Sequence, residues 1–231
     1  MASEIICIID RSGSMGSMAS EAIGGFNSFL AEQKAVPDDA CKFSMVLFDH
    51  EYIKAYDAED IQNVQELNDK TYVPRGSTAL FDAMGRALDE AIDRIQKEYT
   101  TLPRVAVMVM TDGGENASKD YTKGRLDKLV EDLKKEGWQF VFMSSDLSSF
   151  NADLGQMTLG SSNIAYNSTG AGYHAAYAAA ASNVASYRSM GVMTDSAVML
   201  NDDGSTQELK IDARDAKNKK NATDQSTTVV N

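Results

Sequence analysis

Hydrophobic and polar positions along the chain form two alternating kinds of segment. Short, continuous apolar runs predict strands that are buried on both faces, as in parallel sheets. Longer segments with apolar residues at helical spacing predict amphipathic helices between those strands. The predicted strands cover residues 4–10, 42–49, 52–56, 104–112, 138–145 and 162–166, and the predicted helices cover 17–34, 61–67, 79–99, 122–136, 148–155 and 172–190.

This order of elements predicts an α/β fold. We expect a three-layer, doubly wound (Rossmann-like), mainly parallel sheet of about six strands with helices on both faces. Segment 52–56 follows strand 42–49 after a short turn, so it is predicted to form one antiparallel edge strand. Segment 162–166 is predicted to be a short edge strand.

The apolar pattern also predicts how the chain is divided. It fades after Gly191, so we expect one domain over residues 1–191 and a polar, flexible tail over 192–231. Within the helix predicted over 17–34, Gly24 and Gly25 lower the helix propensity. We interpret them as marks of close packing on the sheet.

Composition narrows the class of protein. With 43% hydrophobic and 24% charged residues among 231, the chain is typical of a globular protein with a sizeable core. Its net charge of -12 argues against a large nucleic-acid footprint and against docking on an anionic membrane. Cys7 and Cys41 lack metal-binding spacing and are expected in the core. The sequence shows neither an apolar leader nor a membrane-spanning stretch, which predicts a cytoplasmic protein.

Candidate chemistry lies where two predicted strands end. Asp10 ends the first strand and Asp112 the fourth. If these strands are neighbours, both carboxylates lie in the crevice at the carboxyl ends of the sheet. The segment D-R-S-G-S adds the hydroxyls of Ser12 and Ser14, and Gly13 permits the tight turn that points them inward. A helix cap would explain Ser14 alone, but not the other oxygens.

An oxygen-only ligand set suits a hard divalent cation. Mg²⁺ prefers such ligands and keeps several waters, and Mn²⁺ or Ca²⁺ are alternatives. Asp10 and Asp112 would neutralise the ion only partly, leaving a position for one more anion. An Asp or Glu of a partner protein is the expected occupant, so the site predicts binding more than catalysis.

Three short motifs follow one another along the chain: D-R-S-G-S at 10–14, G-S-T at 76–78 and T-D-G at 111–113. In this order they resemble the metal-ion-dependent adhesion site of von Willebrand factor A domains. The resemblance implies a divalent cation bound by Asp10, Ser12, Ser14, Thr78 and Asp112, with Thr78 binding directly or through water. Similarity to short cytoplasmic versions from bacteria and phages rests on segments 23–29, 46–49, 75–83 and 111–118.

Four further residues flank these motifs. Glu115 and Asn116 follow Asp112, and they have either a direct role at the site or a role in a turn or helix cap. Arg11 and Arg75 lie beside ligand positions. Each could orient an anionic partner, but we expect both to be solvated surface side chains.

The function predicted from the sequence is a non-enzymatic, metal-dependent protein-binding module. A phage structural or assembly component, or an adaptor to an AAA-type ATPase, would use the same site with a different partner. A Mg²⁺-dependent hydrolase is the alternative from another class. It is disfavoured because the sequence has no phosphate-binding P-loop, no nucleophile elbow and no carboxylate cluster for two metals.

Overall fold

The strands form one mixed sheet. The computed structural model describes residues 2–37, 40–112, 114–145, 153–154, 157–194, 196–201, 203 and 205–208. Its strands are β1 (Ser3–Asp10), β2 (Cys41–Phe48), β3 (Tyr52–Asp60), β4 (Arg104–Thr111), β5 (Gln139–Ser144), β6 (Ser162–Tyr166), β7 (Ser196–Leu200) and β8 (Thr206–Glu208). Within these ranges they pair as one eight-stranded sheet in the order β3-β2-β1-β4-β5-β6-β7-β8.

Helices cover both faces of this sheet. Residues alternate along β1: Ile5 and Cys7 belong to the core shared with the first and last helices, while Ile6 and Ile8 belong to the core shared with the middle two. Such alternation is the consequence of the strand's period of two residues. The helices are α1 (Ala19–Lys34), α2 (Leu80–Glu98), α3 (Lys123–Lys135) and α4 (Gly170–Met190), with short 3-10 helices at Gly13–Met18 and Ile61–Asn63.

The predicted fold class is confirmed, with corrections to the sheet. All neighbouring strands from β2 to β7 pair in parallel, and β3 pairs antiparallel with β2 as expected. However, β6 is not an edge strand, because it pairs with both β5 and β7. A second antiparallel strand, β8, lies at the other edge, so the described residues contain eight strands instead of about six.

The extra strands come from a segment in which the apolar signal is weak. Strand β7 has only five residues, S-A-V-M-L, with polar residues on both sides, and it lies beyond residue 191. The division of the chain at residue 191 stays a prediction. The helix expected over 61–67 is only the 3-10 helix Ile61–Asn63, and the one expected over 148–155 lies outside the described residues except for 153–154.

Close packing at the glycines of α1 involves a helix and not the sheet. A Cβ atom on Gly25 would overlap the Tyr177 ring of α4, and one on Gly24 would lie 3.5 Å from His174. The expectation of packing on the sheet was therefore wrong. Cys7 and Cys41 are both buried, as predicted. No helix in the described ranges has the length and apolar character needed to cross a bilayer.

Candidate metal centre

The sheet topology places the two predicted carboxylates at one edge. From β1 the chain crosses to β2 on one side and later to β4 on the other, and β1 pairs in parallel with both. This reversal is the topological switch point at which open α/β sheets bind ligands. Asp10 ends β1, and Asp112 directly follows Thr111 at the end of β4.

Four of the predicted ligands form one hydrogen-bonded group. The Ser12 Oγ atom lies 3.0 Å from Ser14 Oγ, and Ser14 Oγ donates to Asp112 Oδ1 at 2.8 Å. The main-chain N–H of Ser12 donates to Asp10 Oδ1 at 2.6 Å. Across the part of the chain that the structure describes, no group of three or more His, Cys, Asp or Glu residues could hold a metal. A cation at this centre would therefore need the serine hydroxyls as ligands.

Asp10 is a carboxylate in an unfavourable position for an isolated anion. Its side chain is buried, and burial is the main cause that raises its pKa to about 6. Hydrogen bonds from Ser12 and from the Thr111 hydroxyl, which donates to Asp10 Oδ2 at 2.7 Å, lower the pKa, whereas the charge of Asp112 raises it. The Asp10 carboxylate has about four lone-pair sites, more than these hydrogen bonds occupy. A divalent cation would offset both the burial and the repulsion, so these residues fit a metal.

Thr78 lies in a third loop, which contacts both the loop after Asp10 and the loop after Asp112. The N–H of Thr78 donates to Asn116 Oδ1 at 2.9 Å, and its carbonyl accepts the N–H of Asn116 at 3.0 Å. Gly76, two residues earlier, accepts the N–H of Gly13 at 3.1 Å. Gly76 has a φ of +69°, and a Cβ there would overlap His50. The structure thus packs the Thr78 loop against the Asp10 and Asp112 loops through main-chain bonds.

Glu115 supports the loop after β4. Its carboxylate accepts the N–H of Phe81 at 2.9 Å, at the start of α2, and the N–H groups of Ala117 and Ser118 at 2.8 and 2.7 Å. Together with the Asn116 bond to Thr78, these contacts favour the turn and helix-cap roles that the sequence left open for Glu115 and Asn116.

Arg11 is not the solvated side chain that the sequence predicted. It is only 6% exposed, and its guanidinium lies 3.0 Å from the buried carboxylate of Asp49 at the end of β2. The prediction of a solvated Arg11 was wrong, because the side chain is buried and forms an ion pair with Asp49. Arg75 is about half-exposed, and its Nε atom donates to the same carboxylate at 3.1 Å.

Two supporting residues were missed by sequence reasoning. Asp49 ends the run V-L-F-D, just as Asp10 and Asp112 end theirs, so an acid at the end of a third strand was a usable signal. The Tyr72 hydroxyl donates to the main-chain oxygen of Asp10 at 2.6 Å. No pattern in the sequence points to this second contact.

Comparison with known proteins identifies the family. The family model for the von Willebrand factor type A domain matches residues 4–169. No curated protein sequence matches the chain.

Solved structures resemble the chain at low sequence identity. The von Willebrand factor domain of the type V pili tip protein Mfa5 from Porphyromonas gingivalis is 13% identical, with a TM-score of 0.55 over 84% of this chain and 98% of that one. The pilus adhesin SpaC from Lactobacillus rhamnosus GG is 12% identical, with a TM-score of 0.58 over 80% of this chain and 30% of that one. These two likenesses support the fold.

A mussel structure is also similar. Proximal thread matrix protein 1 from the mussel byssus is 17% identical, with a TM-score of 0.45 over 68% of this chain. The present chain spans only 38% of the length of that protein.

Proposed function

This chain belongs to the von Willebrand factor type A domain family, and from that premise we propose that it is a protein-binding domain whose binding depends on a divalent cation. Domains of this family with a metal-ion-dependent adhesion site mediate metal-dependent protein interactions. Asp10, Ser12, Ser14, Thr78 and Asp112 would hold the ion, which we propose is Mg²⁺.

One observation carries this proposal: hydroxyl and carboxylate oxygens from two loops meet at the switch point. Ser12, Ser14 and Asp112 are linked by contacts of 3.0 and 2.8 Å. Beside them is the buried Asp10, which among the described residues accepts hydrogen bonds from Ser12 and Thr111, neither of them cationic. Ser14 is exposed, so an ion beside it would be accessible to another molecule. The bound cation supplies positive charge for an incoming anion, and this chain's residues orient and confine it.

We further propose that the partner presents an Asp or Glu carboxylate to the ion. The oxygens of both carboxylates are shared with hydroxyl or N–H donors, which weakens their hold on the cation and favours one further anionic ligand. We expect the protein to bind its partner without catalysing a reaction. We expect neither nucleic acid nor a membrane as the partner, and we expect the protein to act in the cytoplasm of a bacterium or of a phage-infected host. If the protein acts in phage assembly or as an adaptor to an AAA-type ATPase, the same metal site would bind a different partner protein.

The first test is a calorimetric titration with Mg²⁺. Asp112→Asn and the double change Ser12→Ala/Ser14→Ala should abolish the heat of binding, because the first removes a carboxylate charge and the second removes two hydroxyl ligands. The matched control is Asp93→Asn. Asp93 is exposed on α2, 13 residues after the start of that helix and about 20 Å along its axis. Equal Mg²⁺ affinities of the wild type and Asp112→Asn would contradict the proposed metal site.

The second test concerns the partner. The immobilised chain should capture a protein from lysate of its native host with Mg²⁺ present, and lose it with EDTA or in Asp112→Asn. Capture that persists in both conditions would contradict a metal-dependent contact. Neutralising single acidic residues of the captured protein then tests the carboxylate, since only one of them should abolish binding.

A further inference from the structure

The buried carboxylate of Asp49, which is not one of the predicted ligands, contacts two of the loops that carry predicted metal ligands. Asp49 Oδ2 lies 3.0 Å from the guanidinium of Arg11 and 3.1 Å from Nε of Arg75. Asp49 Oδ1 accepts the N–H of Glu51 at 2.7 Å and lies 3.2 Å from Nδ1 of His50. Arg11 belongs to the Asp10–Ser14 loop and Arg75 to the Thr78 loop. One side chain therefore holds both loops to the β2–β3 hairpin.

Main-chain hydrogen bonds connect the same segments, namely the end of β2, the Asp10–Ser14 loop and the Thr78 loop. The N–H of Arg11 donates to the carbonyl of Phe48 at 2.7 Å, and the N–H of Arg75 donates to the carbonyl of Arg11 at 2.8 Å. The carbonyl of Asp49 accepts the N–H of Ala79 at 2.9 Å. The end of β2 thus fixes the residue after Asp10 and the residue after Thr78.

We propose that Asp49 is the positioning residue of the metal centre, which rests on the proposed function. Mg²⁺ demands near-octahedral geometry, and neutral hydroxyls hold it weakly, so the loops with Ser12 and Thr78 must be aligned before the ion binds. Asp49 supplies this alignment. It also neutralises Arg11, whose charge would otherwise lie one residue from Asp10 and oppose a cation. Residues that orient metal ligands typically contribute about 10–100-fold to affinity.

The test compares two buried carboxylates. Asp49→Asn removes the charge that joins the loops. The matched control, Glu4→Gln, removes an equally buried carboxylate at the other end of β1, where Glu4 binds Arg94 through two hydrogen bonds of 2.8 and 2.6 Å. Both changes break a buried ion pair, so both should lower the midpoint of thermal unfolding. Only Asp49→Asn should weaken Mg²⁺ binding, by about 10–100-fold.

Hydrogen exchange of the metal-free protein gives a second measurement that does not depend on the ion. In Asp49→Asn the amides of Gly13, Arg75 and Ala79 should exchange faster, because the two loops lose their shared anchor. In Glu4→Gln their exchange should match the wild type. Exchange and Mg²⁺ affinity that are both unchanged in Asp49→Asn would overturn the proposal.

A second variant covers the case in which Asp49→Asn does not fold. The double change Arg11→Gln/Asp49→Asn removes both charges and leaves no buried cation unpaired. It should fold and still show weakened Mg²⁺ binding, and wild-type affinity in this variant would overturn the proposal. If the wild type itself binds no Mg²⁺, the proposed function fails, while faster exchange in Asp49→Asn would still show that Asp49 holds the loops.

Discussion

At the scale of single residues, Asp10 is costly for the metal-free protein. Burial, opposed by hydrogen bonds from Ser12 and Thr111, raises its pKa from 3.8 to about 6. A carboxyl whose pKa is higher in the folded state favours folding while it is protonated in both states, and this contribution is lost as the pH rises through about 6. Above that pH the ionised side chain destabilises the metal-free protein.

Asp10→Asn should therefore stabilise the metal-free protein at about pH 7.5 by about 1–3 kcal/mol, because it removes the buried charge. Thr111 can rotate its hydroxyl to accept from the new amide. The difference should shrink toward about pH 4, where Asp10 is protonated. Urea unfolding in EDTA across this range measures both free energies. A difference that does not change with pH would contradict the prediction.

The same scale shows what the sequence could predict about the site. Asp10 and Asp112 were found because acids end apolar runs, and β1 and β4 are neighbours as required. Asp49 ends a run in the same way, but it lies outside the adhesion motifs. The bond from Tyr72 to Asp10 joins residues 62 positions apart, and such a contact depends on tertiary structure that no local pattern records.

At the scale of elements, the strand boundaries were predicted closely, and the predicted segment 162–166 coincides with β6. The predicted β1 and β4 differ from the observed strands by one residue at one end, because both strands are buried along their length. Strand β7 was missed because it is short and two of its five residues, Ser196 and Ala197, carry little apolar signal. Without β7, the pattern could only place β6 at an edge.

The contact between α1 and α4 gives the prediction for this scale. Gly25→Ala should lower the free energy of unfolding by about 1–3 kcal/mol, because the added Cβ overlaps the Tyr177 ring and forces the helices apart. Gly124→Ala on α3 is the matched control. Nothing lies within 4 Å of its added Cβ, so helix propensity should raise stability by up to about 1 kcal/mol. Thermal or urea unfolding measures both, and equal effects would contradict a role for the close helix contact.

At the scale of the whole molecule, the net charge of -12 complicates any effect of a divalent cation. Mg²⁺ screens repulsion over an acidic surface whether or not it occupies a site. General screening depends on ionic strength and is shared by monovalent salt. Binding at one site instead adds a free energy that grows with the logarithm of the Mg²⁺ concentration above the dissociation constant.

Thermal unfolding at constant ionic strength separates these two effects. Mg²⁺ at 100 times its dissociation constant should stabilise the wild type by about 2.7 kcal/mol, which for a chain of this size raises Tm by about 5–11 °C. Asp112→Asn should lose this rise, because it removes the carboxylate charge that attracts the ion. Asp93→Asn, which changes the net charge equally, should keep it. The same rise in all three proteins would mean that Mg²⁺ acts on the acidic surface as a whole. The candidate metal centre at Asp10, Ser12, Ser14, Thr78 and Asp112 would then hold no specific ion.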